Sequence, residues 1–243
     1  MEFQVLVFTA LSIGFIHTLL GPDHYLPFIV ISKARNWNTF KTLSITFLCG
    51  IGHVIGSVVL GILGITLGIA LNLVEGIESF RGELAAWLLI GFGIAYTVWG
   101  LRIGFRSIEH SHEHDHDEHS KNHSHDQPDG HHHHSHHHLG LHAHIHGDQK
   151  KLTPWVLFII FVLGPCEPLI PILMYPAAQG NWMDVFVVSA AFSLTTVATM
   201  MVMVFIAYKG LAKVKFDWLE RYMHAIAGFI IAASGLAIKF LGL

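Results

Sequence analysis

Apolar residues fall along this chain in long blocks rather than in the alternation of strands or the narrow stripes of soluble helices. Six blocks, near 3–31, 42–73, 84–105, 153–177, 183–208 and 222–241, each hold the roughly 20 mostly apolar residues that a membrane-spanning helix needs. The first, second and fourth exceed that length and have room to tilt or break. Gly21-Pro22 and Gly164-Pro165 mark the expected breaks in the first and fourth, because proline removes a backbone donor and glycine admits unusual dihedrals. Between the third and fourth blocks, residues 109–148 contain only four hydrophobic side chains, Leu139, Leu141, Ala143 and Ile145. The pattern predicts an all-α integral membrane protein with six transmembrane helices. Its parts are a first three-helix unit (1–108), a polar loop (109–151) and a second three-helix unit (152–243).

The two units align with each other. An offset of 143 residues sets Val162-Leu163-Gly164-Pro165-Cys166-Glu167 on Leu19-Leu20-Gly21-Pro22-Asp23-His24. Cys166 then matches Asp23, Glu167 matches His24, and Thr196 matches His53. The third helices match more loosely, through Gly91-Phe92-Gly93-Ile94-Ala95 and Gly228-Phe229-Ile230-Ile231-Ala232. An odd number of helices per unit makes the halves enter the membrane in opposite directions. Inverted repeats with helices 1 and 4 broken at corresponding places point to a transporter whose site lies between the breaks.

Composition and charge narrow the class. Of the 243 residues 52% are hydrophobic and 13% charged, against about 25% charged in soluble domains. The formal charge is −3 with no basic stripe, which argues against nucleic acid, and two cysteines do not make a disulfide scaffold. The N-terminus lacks the basic start of a cleaved signal, so helix 1 reads as retained. Twelve of the 14 basic residues lie in the loops after helices 1, 3 and 5 or their flanks; Arg81 and Lys239 are the exceptions. By the positive-inside rule those loops face the cytoplasm, and both termini face out. The expected location is the cell membrane, multi-pass.

Polar groups inside a bilayer are costly and carry a functional reading by default. Here they are His17, Asp23, His24, His53, Cys166 and Glu167. His17 and His24 are seven residues apart, so an unbroken helix would put them on one face. Imidazole, carboxylate and thiolate together suit nickel, cobalt or zinc and suit calcium or magnesium poorly. Ser193, Thr195, Thr196 and Thr199 offer weaker oxygen ligands. Cys49 has no such mate in the repeat and reads as structural, and His224 reads as interfacial beside Arg221.

Of the 21 histidines, 17 lie between His110 and His146, interleaved with acids that bring 109–148 to about −7. Such a tract cannot bury a core and binds divalent metals through neutral imidazole. It reads as a buffer, sensor or delivery arm rather than the permeation site.

The stretch Phe15-Ile16-His17-Thr18-Leu19-Leu20-Gly21-Pro22-Asp23-His24 resembles the nickel/cobalt transporter and exporter families, including the urease-accessory-type members. Cys49-Gly50-Ile51-Gly52-His53 and the histidine-rich loop carry the same likeness. It implies that His17, Asp23, His24 and His53 contact the metal. The spacing from His17 to Asp23 departs from that of the nickel permeases, which leaves nickel, cobalt and zinc open. The second half, Gly164-Pro165-Cys166-Glu167-Pro168 with Pro171, is similar to the cytochrome-c-biogenesis thiol–disulfide transporters, within the broader lysine-exporter superfamily.

The leading expectation is therefore a secondary transporter of divalent transition-metal cations, inclined to efflux, and not an enzyme. No permanently bound cofactor is expected; the metal ion is the substrate. The partners expected are the lipid bilayer and divalent metal ions, with no nucleic acid. A homo-oligomer, or a metallochaperone meeting the histidine tract, is compatible with this reading. Two alternatives remain open: a thiol–disulfide electron transporter, and a membrane metal sensor or scaffold that moves nothing.

Overall fold

The computed structural model describes residues 2–106, 149–164, 166–212 and 220–241; the histidine-rich loop lies outside these. All regular structure among them is helical. α1 spans Glu2–Leu20, α2 Leu26–Ala34, α3 Thr39–Thr66 and α4 Leu71–Arg106. After the loop come α5 at Gln149–Leu163, α6 at Leu169–Ala178, α7 at Trp182–Ala212 and α8 at Met223–Leu241. Short 3-10 turns occupy Pro22–His24 and Glu220–Tyr222. Five helices are long and apolar enough to cross a membrane: α1, α3, α4, α7 and α8. Two shorter apolar helices, α5 and α6, follow each other across Gly164. Phe8, Phe40, Leu67, Leu194, Phe229 and Phe240 lie exposed on the outer surface. In water that apolar surface would be unstable, and in a bilayer it is the lipid contact.

The ends of these helices follow from local chemistry. The Asn38 side chain accepts the Lys41 amide at 2.8 Å and caps α3. At its other end Gly68 takes φ +63°, the Gly68 amide returns to the Ile65 carbonyl, and the Ile69 amide to that of Gly64. That left-handed cap stops α3 at Thr66, short of the 73 expected from the apolar run. Asn181 starts α7 by accepting the Asp184 amide at 3.3 Å.

One boundary differs more. The third apolar segment was expected to begin near 84, with Glu75, Glu78, Arg81 and Glu83 in an outer loop. Instead α4 runs unbroken from Leu71 and carries all four. Glu78 is fully buried, and its carboxylate meets Arg81 at 3.0 Å one helical turn on. Paired in this way, the two charges can sit where a lone charge could not.

The longest packing seam joins α4 to α8, through small residues. A Cβ added at Gly93 would come within 2.4 Å of the Ala232 amide nitrogen, and one at Gly228 within 2.4 Å of that of Thr97. α1 packs on α7, α5 on α3, and α3 on α7. α2 lies against α8 and α7, and α6 against α4 and α3. Two apolar clusters flank the centre. One gathers Phe28, Cys49, Phe161 and Met200, the other Val54, Cys166, Leu169 and Phe192.

Candidate metal centre between two helix breaks

α1 ends at Leu20 and α5 at Leu163, each beside its Gly-Pro pair. A helix that stops inside a bilayer leaves carbonyls without partners. At both breaks side chains join backbone amides in satisfying carbonyls, and two of those side chains are the histidines of the site. At the first break His24 Nδ1 lies 3.1 Å from the Gly21 carbonyl and 3.2 Å from Asp23 Oδ1. At the second, His53 Nδ1 lies 3.2 Å from the Phe161 carbonyl. A carbonyl only accepts, so each Nδ1 carries the proton and each Nε2 keeps its lone pair. Carbonyls and carboxylates behind the ring orient metal-binding histidines in this way.

The three Nε2 atoms differ in their surroundings. That of His53 accepts from the Cys166 thiol, with Sγ at 3.0 Å. Those of His17 and His24 are buried with no hydrogen-bond partner. The three imidazoles meet edge to face, His17 to His24 at 4.9 Å and His24 to His53 at 5.1 Å between ring centres. Ligand atoms of His17, His53 and Cys166 all lie within 4.8 Å of one another. A tetrahedral zinc-like ion with bonds of about 2.0–2.3 Å needs ligand atoms about 3.3–3.8 Å apart. Closing around an ion therefore takes side-chain adjustment, not refolding.

A cavity of about 360 Å³ adjoins this cluster. His17, Asp23, His24 and His53 line its inner end, and Glu83, Glu167 and Lys239 line it as well. Lys239 and Glu83 form an ion pair there. A second cavity of about 430 Å³ is lined by Glu75, Glu78 and Glu167. Glu167 is exposed and lies outside the three-residue cluster; it lines both cavities. Ser193, Thr195, Thr196 and Thr199 line neither, though Thr196 Oγ1 is buried without a hydrogen-bond partner. Thr195 instead returns its hydroxyl to the Ala191 carbonyl of its own helix. Cys49 is buried in the apolar core. His224 stands apart, with Nδ1 2.9 Å from Tyr96 Oη, which also accepts from Arg35 at 3.2 Å.

Sequence reading took Asp23 and Glu167 as the deep carboxylates and missed Glu78. The available signal was opposite charge at i and i+3 in a stretch that continues a helical run, which fits a pair hidden inside a helix as well as it fits a loop. Around that pair, Arg81 Nη2 donates to the Val162 carbonyl at 2.8 Å, and the Cys166 amide donates to Ser57 Oγ at 3.1 Å.

Residues 26–237, most of the chain, match the family described as the cytochrome c biogenesis protein transmembrane region. No curated protein and no solved structure matches the chain. The stretch matched takes in α2 to α7 whole and nearly all of α8, and with them Cys166 and His53. This multi-pass membrane protein, with its thiol and imidazole facing each other at a helix break, therefore belongs to the cytochrome c biogenesis transmembrane family.

Proposed function

We propose that the protein is a secondary transporter of divalent transition-metal cations, with His17, Asp23, His24, His53 and Cys166 as the transit site and Glu167 on the way to it. The observation that carries this reading is the inward-facing cluster: ligand atoms of His17, His53 and Cys166 within 4.8 Å, with buried, unpartnered Nε2 atoms on His17 and His24. Unpartnered buried acceptors are costly unless a ligand completes them. Nitrogen and sulfur donors select nickel, cobalt or zinc over harder cations. Binding displaces the Cys166 thiol proton now shared with His53, which gives a route for coupling cation movement to protons.

The helix contacts support two inverted repeats. Exchanging α1, α2, α3 and α4 for α5, α6, α7 and α8 turns the α1–α7 contact into α5–α3. It turns α2–α8 into α6–α4 and α2–α7 into α6–α3, and it maps α3–α7 and α4–α8 onto themselves; all of these contacts are present. Rocking of one half on the other would then alternate access. The excess of lysine and arginine in and beside the connections after α2, α4 and α7 favours a cytoplasmic histidine tract with both termini outside. The cavity lies toward the opposite side, where Glu83 and Lys239 sit. A cytoplasmic tract that gathers cations fits efflux, with the cavity as the exit.

Purified protein in proteoliposomes is expected to move nickel, cobalt or zinc, and Asp23→Asn and His24→Ala are each expected to slow it at least tenfold. Unimpaired transport by both variants sinks the site.

Family membership favours a second reading, thiol–disulfide electron transfer. Both thiols are free, and they sit in different apolar clusters. A Cys49→Ala/Cys166→Ala protein separates the readings. Residual cation transport with altered metal preference supports the first, and no cation transport by either form together with loss of thiol exchange supports the second.

A further inference from the structure

The two helix breaks differ in how they are held. Leu19 and Val162 are equivalent carbonyls under the 143-residue offset, and each is among the last carbonyls of its helix. The Leu19 carbonyl accepts from Tyr25 Oη at 3.3 Å, a neutral donor a few residues along the same chain. The Val162 carbonyl accepts from Arg81 at 2.8 Å, a cation brought by α4 from the other half. Arg81 is itself fixed by Glu78 at 3.0 Å, whose carboxylate is buried. Gly56 leaves the space: a Cβ there would stand 2.6 Å from Arg81 Nη2 and 3.1 Å from the Val162 oxygen. From the next position, Ser57 Oγ accepts the Cys166 amide.

The geometry points to Arg81, held by Glu78, as the positioning residue that fixes the end of α5 and so presents the Cys166 sulfur to the cation. This inference rests on the transit site proposed above. Asp23 at the first break is held by His24 next to it, within the same turn. The Cys166 thiol instead meets His53, from α3, at 3.0 Å, and the place of its backbone depends on α5 ending where it does and on Ser57. A charged pair inside a membrane protein is costly to bury, and replacing it by apolar residues often stabilises. Its use here is to satisfy the orphaned carbonyl and to set the thiol against His53. A metal ligand displaced by a fraction of an ångström loses affinity, and outer-shell losses of this kind typically cost about 10–100-fold.

The test is cobalt(II) titration of the full-length protein in detergent, read at the near-ultraviolet thiolate-to-cobalt charge-transfer band. The histidine tract has no thiol and contributes nothing to that band. Cys166→Ala is the blank. The wild type is expected to show the band, Arg81→Gln to lose at least about four-fifths of it, and Arg81→Lys, which still donates to a carbonyl, to keep most of it. Ser57→Ala, tethering the same amide, is expected to weaken the band even if Arg81→Gln does not fold. A full band in folded Arg81→Gln, or in Ser57→Ala where Arg81→Gln is unfolded, overturns the positioning role and leaves the metal site standing. A wild type without the band overturns Cys166 as a ligand, and this inference with it.

Discussion

Two of the three histidines of the candidate site are oriented by the backbone behind them. Carbonyls at the breaks hold the Nδ1 atoms of His24 and His53, which leaves their Nε2 atoms for other partners. Gly21 is the sensitive point, because a Cβ there would stand 2.4 Å from His24 Nδ1 and 2.9 Å from Asp23 Oδ1. Gly21→Ala is expected to raise the KM for cobalt roughly 10–100-fold while the protein stays folded, as measured by vesicle uptake beside a thermal melt. His17, His24 and His53 were legible in the sequence because imidazoles in apolar runs are conspicuous. Glu78 was not, since its burial depends on a partner three residues on and on the helix continuing through both. Among the hydroxyls of α7, that of Thr195 is satisfied on its own backbone, as a helical threonine can be, and that of Thr196 is buried without a partner.

Among the elements, the long apolar segments could be read directly, because a bilayer demands length and hydrophobicity and tolerates little else. The breaks at Gly21 and Gly164 could be read from Gly-Pro pairs. Helix ends decided by a single backbone conformation could not, and the stop of α3 at Gly68 is the example. Gly68→Ala is expected to cost about 1 kcal/mol, because the left-handed conformation strains any Cβ. The α4–α8 seam is less forgiving. At Gly93 the nearest obstacles to a Cβ are backbone atoms of α8, which cannot swing aside. Gly93→Val is expected to destabilise by about 1–3 kcal/mol or to force the helices apart, seen as a lowered melting temperature in detergent.

On the function proposed above, the histidine tract and the intramembrane histidines would have separate tasks. Deleting 110–146 is expected to shift the cation concentration at which transport responds, leaving the maximal rate within about twofold, because the tract acts through multivalent capture. Complete loss of uptake would place the tract in the permeation path. The composition of the chain announced the tract before anything else, yet the cavity is lined by residues from α1, α3, α4, α5, α8 and the two breaks.

The length of α4 has a further consequence. Its 36 residues make a rod of about 54 Å, well beyond the roughly 30 Å of bilayer hydrocarbon. A rod so mismatched must lean or protrude, and α8, locked along it by the glycine seam, must move with it. Membrane thickness would then adjust the slant of this pair against the other helices that line the cavity. Transport in vesicles of graded acyl-chain length should pass through an optimum, and a protein from which α4 has released its grip on α8 should lose that dependence.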